Sequence, residues 1–131
     1  MHLKKILPLL IALIGIAGLN EAQAQKASWK EMKEFHDVMS NTFHPAEEDK
    51  LEPIRTRSQE MLDKAVAWRA STAPAGFDKT AVQREMKQLV KGATKLNKMV
   101  KKNASDADLK EKLTKLHDVF HEIMEKSRVK S

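Results

Sequence analysis

The sequence contains no cysteine, and only four glycines and four prolines among 131 residues. The missing thiols exclude a disulfide scaffold, a thiolate metal site, a cysteine nucleophile and covalent attachment of a c-type haem. The shortage of turn formers, with aromatic residues at 5%, argues against a many-stranded sandwich or barrel. No G-x-S-x-G, H-E-x-x-H or glycine-rich phosphate loop occurs. What is present, 41% hydrophobic and 32% charged residues, suits a small soluble helical domain better than a disordered tail. The length leaves room for one domain.

Lys4 and Lys5 precede an apolar run from Ile6 to Leu19, and Ala22-Gln23-Ala24 then places small residues where a signal peptidase reads them. This is the layout of a cleaved secretory signal, and the run is short for a membrane span. No cysteine follows, so no lipoprotein anchor is expected. Residues 1–24 are therefore expected to be a signal peptide and 25–131 the domain, periplasmic and without a stable membrane anchor. The net charge of +6 falls to +5 once Lys4, Lys5 and Glu21 are removed. Export argues against nucleic acid as a partner, as does the interleaving of lysines with Glu and Asp. Charge supports only a mild preference for an acidic protein partner.

Four helices follow from punctuation and period. Ser28 can cap the first, with Glu31 in the capping-box position. Trp29, Met32, His36, Met39 and Phe43 then recur at steps of three and four, as one core stripe. His44-Pro45 is expected to end this helix. The second helix fits Glu52 to about Ser71, with Pro53 in its first turn and Ile54, Ser58, Met61, Ala65 and Trp68 inside. Thr72 to Phe77 reads as a loop. Asp78 caps a third helix to about Lys102, with Val82, Met86, Leu89, Ala93, Leu96 and Val100 inside. Asn103 closes it. Ser105 caps the fourth, about Asp106 to Arg128, whose apolar face is Leu109, Leu113, Leu116, His117, Phe120, Ile123 and Met124. Short connections between long helices point to an all-α, up-down-up-down antiparallel four-helix bundle.

The histidines carry the functional signal. His36 occupies the expected stripe of the first helix, while His117 and His121 sit one turn apart on the fourth. Antiparallel neighbours pair at a constant index sum, which can set His36 against His117 and Met32 against His121. Three imidazoles and a thioether then converge on a common centre. Gly92, mid-helix where glycine costs about 1 kcal/mol relative to alanine, and Ala93 are expected beside His117. They leave room for a cofactor there, or let the helices close in. Burying imidazoles without partners costs on the order of 1–3 kcal/mol each, which a bound metal or haem removes. His36, His117 and His121 are thus candidate metal ligands. His44, with Glu47 and Glu48 nearby, is a candidate outer ligand set or an exposed loop.

The helix layout and the histidine late in the fourth helix resemble the four-helix periplasmic cytochromes, cytochrome c′ and its non-covalent b-type relative. Leu113-Thr114-Lys115-Leu116-His117-Asp118-Val119-Phe120 keeps the frame of C-x-x-C-H plus an aromatic, with leucines in place of both cysteines. That resemblance implies a haem-ligand role for His117. Met32 and His121 resemble in placement the ligand pair of the b-type relative. His36 and His44 belong to neither pattern and favour a bare ion such as copper or zinc, or haem with an altered ligand pair.

A di-iron enzyme needs two Glu-x-x-His motifs, and the acidic residue three before a histidine here is Asp118, before His121. Ser58 lacks an evident base. The leading expectation is therefore a non-enzymatic periplasmic bundle. It binds copper, zinc or non-covalent haem through His36, His117 and His121, with Met32 as a candidate fourth ligand (Met32, His117 and His121 for a cofactor), for electron transfer or metal sequestration. The competing expectation is a structural or adaptor bundle for a protein or peptide, with no cofactor.

Overall fold

The structure, a computed structural model, describes residues 29–129. The expected signal segment and Ser28 lie outside the described residues. Four helices follow one another: α1 (Lys30–Glu47), α2 (Glu52–Ala70), α3 (Lys79–Lys101) and α4 (Asp106–Lys126). There is no strand among the described residues. One isolated antiparallel bridge, Phe77 with Arg128, ties the α2–α3 connection to the segment after α4. Asp78 N–H donates to the Ser127 carbonyl and Val129 N–H to that of Gly76, each at 2.7 Å.

Local chemistry accounts for most of the boundaries. Asp78 and Ser105 occupy the N-caps of α3 and α4, accepting from the backbone N–H of Ala81 and Asp108 and so satisfying donors that the first turn leaves open. Pro53 stands in the first turn of α2, where its missing N–H costs nothing. Asn103, at φ 58°, closes α3 with two bonds. Its own N–H reaches the Val100 carbonyl, and the N–H of Ala104 reaches that of Met99. That pair of bonds is the Schellman closure.

Helix α1 departs from the sequence reading in three ways. Its N-cap residue is Trp29, with no side-chain cap, rather than Ser28. His44-Pro45 does not end it, and the helix runs on to Glu47 with Pro45 inside the final turn. A proline disturbs the donors and carbonyls upstream of it, yet its own carbonyl remains free to work. The Pro45 carbonyl accepts from the N–H of both Glu48 and Lys50 at 2.9 Å, while Asp49, at φ 62°, makes the left-handed turn of a second Schellman closure.

The third departure decides the fate of the site. The buried face of α1 is Phe35, Val38, Met39, Thr42, Phe43 and Ala46; His36 is exposed. The two candidate stripes are neighbours around the helix. Burying Phe35 and Val38 removes more apolar surface from water than burying an imidazole and a thioether. The helix is therefore rotated, and His36 turns outward.

The helices share one core. Each packs on the next in sequence, and α1 also meets α4. The α2 stripe of Ile54, Ser58, Met61, Ala65 and Trp68 is buried as its period implies, as are Val82, Met86, Leu89, Ala93 and Leu96 of α3. From α4 come Leu109, Leu113, Leu116, Phe120 and Ile123. At one end Phe35, Trp68 and Phe120 make a ring cluster with centroid separations of 5.4–5.9 Å. Trp29 packs edge-on against Trp68 and donates through its indole N–H to Ser71 Oγ at 2.7 Å.

Candidate functional site

All four histidines of the described residues lie on α1 and α4. The register is set by the stack of Phe35 on Phe120, 5.9 Å between centroids and 23° between planes. It places His36 flat against Phe120, at 5.1 Å and 11°, and His117 flat against Phe43, at 3.9 Å and 9°. The expected pairing of His36 with His117 is therefore displaced by one to two helical turns. Bulky aromatic packing overrode the simplest antiparallel alignment.

His117 and His121 are brought together. Their Nε2 atoms stand 3.2 Å apart, so one ring donates its N–H to the lone pair of the other. His36 does not join them, because Phe120 lies between: its ring touches His36 on one side and His121, at 5.7 Å, on another. Among the described residues no group of three or more His, Asp or Glu side chains is arranged to hold a metal ion. The three-imidazole core centre is thus corrected to a two-imidazole pair at the surface. His117 is half-buried and His121 exposed. Met32 is half-buried against the core.

The surroundings of the pair set its electrostatics. Burial first, and then the neighbouring His121, holds the His117 imidazole below the ordinary histidine range; Asp118 and Glu47 act against this and His44 with it. The ring accordingly favours its neutral form, the form that offers a lone pair to a metal. On the far side of the pair, Glu125 Oε1 stands 3.6 Å from His121 Nδ1. His44 is exposed and shares a contact of 3.2 Å with Glu47, while Glu48 pairs with Lys50.

Gly92 does not open a space beside these rings. It faces the other side of α4, where a β-carbon on it would stand 2.8 Å from Leu116 Cδ1, so the two helices close in. Ser58, buried between α2 and α3, donates to Asn97 Oδ1 at 2.8 Å, an amide partner and not a base. The contribution of Phe43 and Phe120 as covers for the imidazoles is absent from the sequence reading. Their positions four residues from Met39 and three from His117 are visible there, but not the pairing across helices.

No protein-family model matches the chain, and neither a curated protein nor a solved structure is significantly similar to it.

Proposed function

We propose that this chain is an exported up-down-up-down four-helix bundle that binds a bare transition-metal ion, copper or zinc, at the His117–His121 pair. Its role is sequestration or delivery of the ion rather than catalysis. The antiparallel reading is supported by paired contacts whose indices run in opposite senses, such as Trp29 with Ser71 and Glu34 with Lys64. Arg55 with Asn103, just past the end of α3, and Ser58 with Asn97 follow the same rule between α2 and α3.

The observation that carries the reading is the 3.2 Å between the two Nε2 atoms. Two nitrogens each about 2.0–2.1 Å from a tetrahedral ion lie about 3.3 Å apart. The pair therefore needs little rearrangement to chelate: the donating ring passes its Nε2 proton to its own Nδ1 through water, and both Nε2 lone pairs turn to the ion. Glu125 Oε1 stands 3.6 Å from the outer nitrogen of His121, and His44 and Glu47 lie near enough to act on His117 electrostatically. Water completes the shell. A non-covalent haem is less well served. Phe43 covers one face of His117 at 3.9 Å, and Phe35, Trp68 and Phe120 fill the adjoining interior, leaving no slot for a macrocycle beside the pair.

Calorimetric titration of chelator-treated protein with Cu²⁺ and Zn²⁺ tests this. One ion should bind at about micromolar affinity or tighter, because the ligands are already in place. His117→Ala and His121→Ala should each weaken binding at least tenfold, and His36→Ala should not. Absence of binding, or equal binding by the His117→Ala chain, would overturn the reading. A melting temperature indifferent to metal and to EDTA would favour the adaptor role instead.

A further inference from the structure

Lysines that are scattered along the sequence are gathered on the face shared by α3 and α4. Lys91 and Lys95, one turn apart on α3, and Lys112 and Lys115 on α4 line a cleft of about 220 Å³ together with Gln88. Gly92, Leu116 and Val119 form the rest of its lining. Gly92 is the reason the two helices come close enough for the opposed lysines to share a cleft, since a β-carbon would meet Leu116 Cδ1 at 2.8 Å.

The charges in this cleft are poorly compensated. Lys115 pairs with Glu111 at 3.2 Å. Among the described residues no ion pair engages Lys91, Lys95 or Lys112. The Lys112 ammonium is pushed below the ordinary lysine range, first by burial and then by Lys95, Lys115 and Lys91. Three like charges thus face one another across a concave, partly apolar surface. A surface cation normally rests beside a carboxylate or in open water, and this arrangement gives neither in full.

We propose that this cleft binds a compact polyvalent oxyanion of the di- or triphosphate class. A diphosphate carries about three negative charges at neutral pH, which matches the three uncompensated ammonium groups. Each lysine acts as a mobile point charge with three donors, so the stems can fold over linked phosphoryl groups without a preformed cage. The volume suits a few linked phosphoryl groups. The site lies on the opposite side of α4 from the imidazole pair, and nothing in it depends on a metal.

Thermal unfolding of the full chain in tripolyphosphate, with sulfate and sodium chloride at matched ionic strength as comparisons, tests the proposal. Both the wild-type chain and His117→Ala are used after EDTA treatment, so that metal chelation by the phosphate produces no signal. A saturable rise in Tm is expected, half-complete at a tripolyphosphate concentration at least tenfold below that for sulfate. Lys95→Gln with Lys112→Gln should raise the half-saturating concentration at least tenfold. The same pair should not lower the Tm of the unliganded protein, because it relieves repulsion. Lys98→Gln with Lys101→Gln removes equal charge elsewhere and should change little. Equal effects of sulfate and tripolyphosphate, or equal responses of the two double variants, would each overturn it.

Discussion

The ring of Phe43 lies flat on the imidazole of His117, with centroids 3.9 Å apart and planes 9° apart. This contact does two things at once. It shields one face of the imidazole from water, which disfavours the charged form, and it fixes the plane in which Nε2 meets that of His121. Phe43→Leu keeps an apolar side chain but loses the flat cover. The expected outcome is a rise of the His117 pKa toward its ordinary value of 6.5, at a stability cost of about 1 kcal/mol. Proton NMR titration of the ring protons reads it, and an unchanged or lower His117 pKa would assign the shift to something other than Phe43.

The direction of that shift also fixes a pH dependence. In the folded protein His117 titrates below 6.5 because burial and His121 oppose its charge, with His44 adding to them and Asp118 and Glu47 working against. In the unfolded chain the ring regains its ordinary value, so just below 6.5 the unfolded state binds more protons than the folded protein. Stability then falls as pH drops through about 6.5, and the loss levels off once the folded ring is protonated. Urea unfolding at pH 7.5 and 5.5 should show the lower midpoint at pH 5.5, and His117→Gln should shrink the difference. A midpoint that rises on acidification of the wild type, with the rise absent in His117→Gln, would contradict the sign.

Helices α2 and α3 are legible in the sequence because each carries one apolar stripe that agrees with its punctuation, Pro53 in the first turn of α2 and Asp78 and Asn103 at the two ends of α3. Ile54 to Trp68 and Val82 to Leu96 need no tertiary information to be placed inside. Helix α1 is not, because its wheel carries two adjacent stripes of similar quality. Period alone cannot rank Phe35 and Val38 above Met32 and His36; the partners Trp68 and Phe120 do that. The four-residue spacing by itself puts His117 and His121 on one side of α4. What lies opposite them depends on interhelical register, which aromatic packing sets. The lysine cleft is hidden for the same reason: each row of lysines is interleaved with acids or polar residues along the chain, and only the pairing of α3 with α4 joins Lys91 and Lys95 to Lys112 and Lys115.

Asp49 closes α1 in a left-handed conformation, φ 62°, that costs a residue with a β-carbon about 1–2 kcal/mol. Against this it offers Lys110 an ion pair at 2.8 Å, but the Asp49 side chain is 81% exposed, and such a pair contributes little. Glycine relieves the backbone and gives up only the weak pair. Asp49→Gly should therefore stabilise the protein by about 0.5–1 kcal/mol, read as a higher urea midpoint with an unchanged slope. A loss of stability would mean that the Lys110 contact outweighs the backbone term.

The hydroxyl of Ser58 and the amide of Asn97 are both buried, 4% and 5% exposed, and they satisfy each other across the α2–α3 interface. Ser58 donates to Asn97 Oδ1 at 2.8 Å, and Asn97 Nδ2 donates in turn to Gln59 Oε1 at 2.9 Å. Ser58→Ala strands the Asn97 carbonyl oxygen in the core, which costs about 1–3 kcal/mol. Asn97→Leu removes the acceptor and adds apolar volume, but leaves the serine hydroxyl without a partner. Replacing both removes the need for either bond, so the double variant should lie closer to wild type than the sum of the two single losses. A double-mutant cycle in urea measures the coupling. Additive losses would mean that the hydrogen bond holds nothing together and that packing alone joins α2 to α3 at this layer.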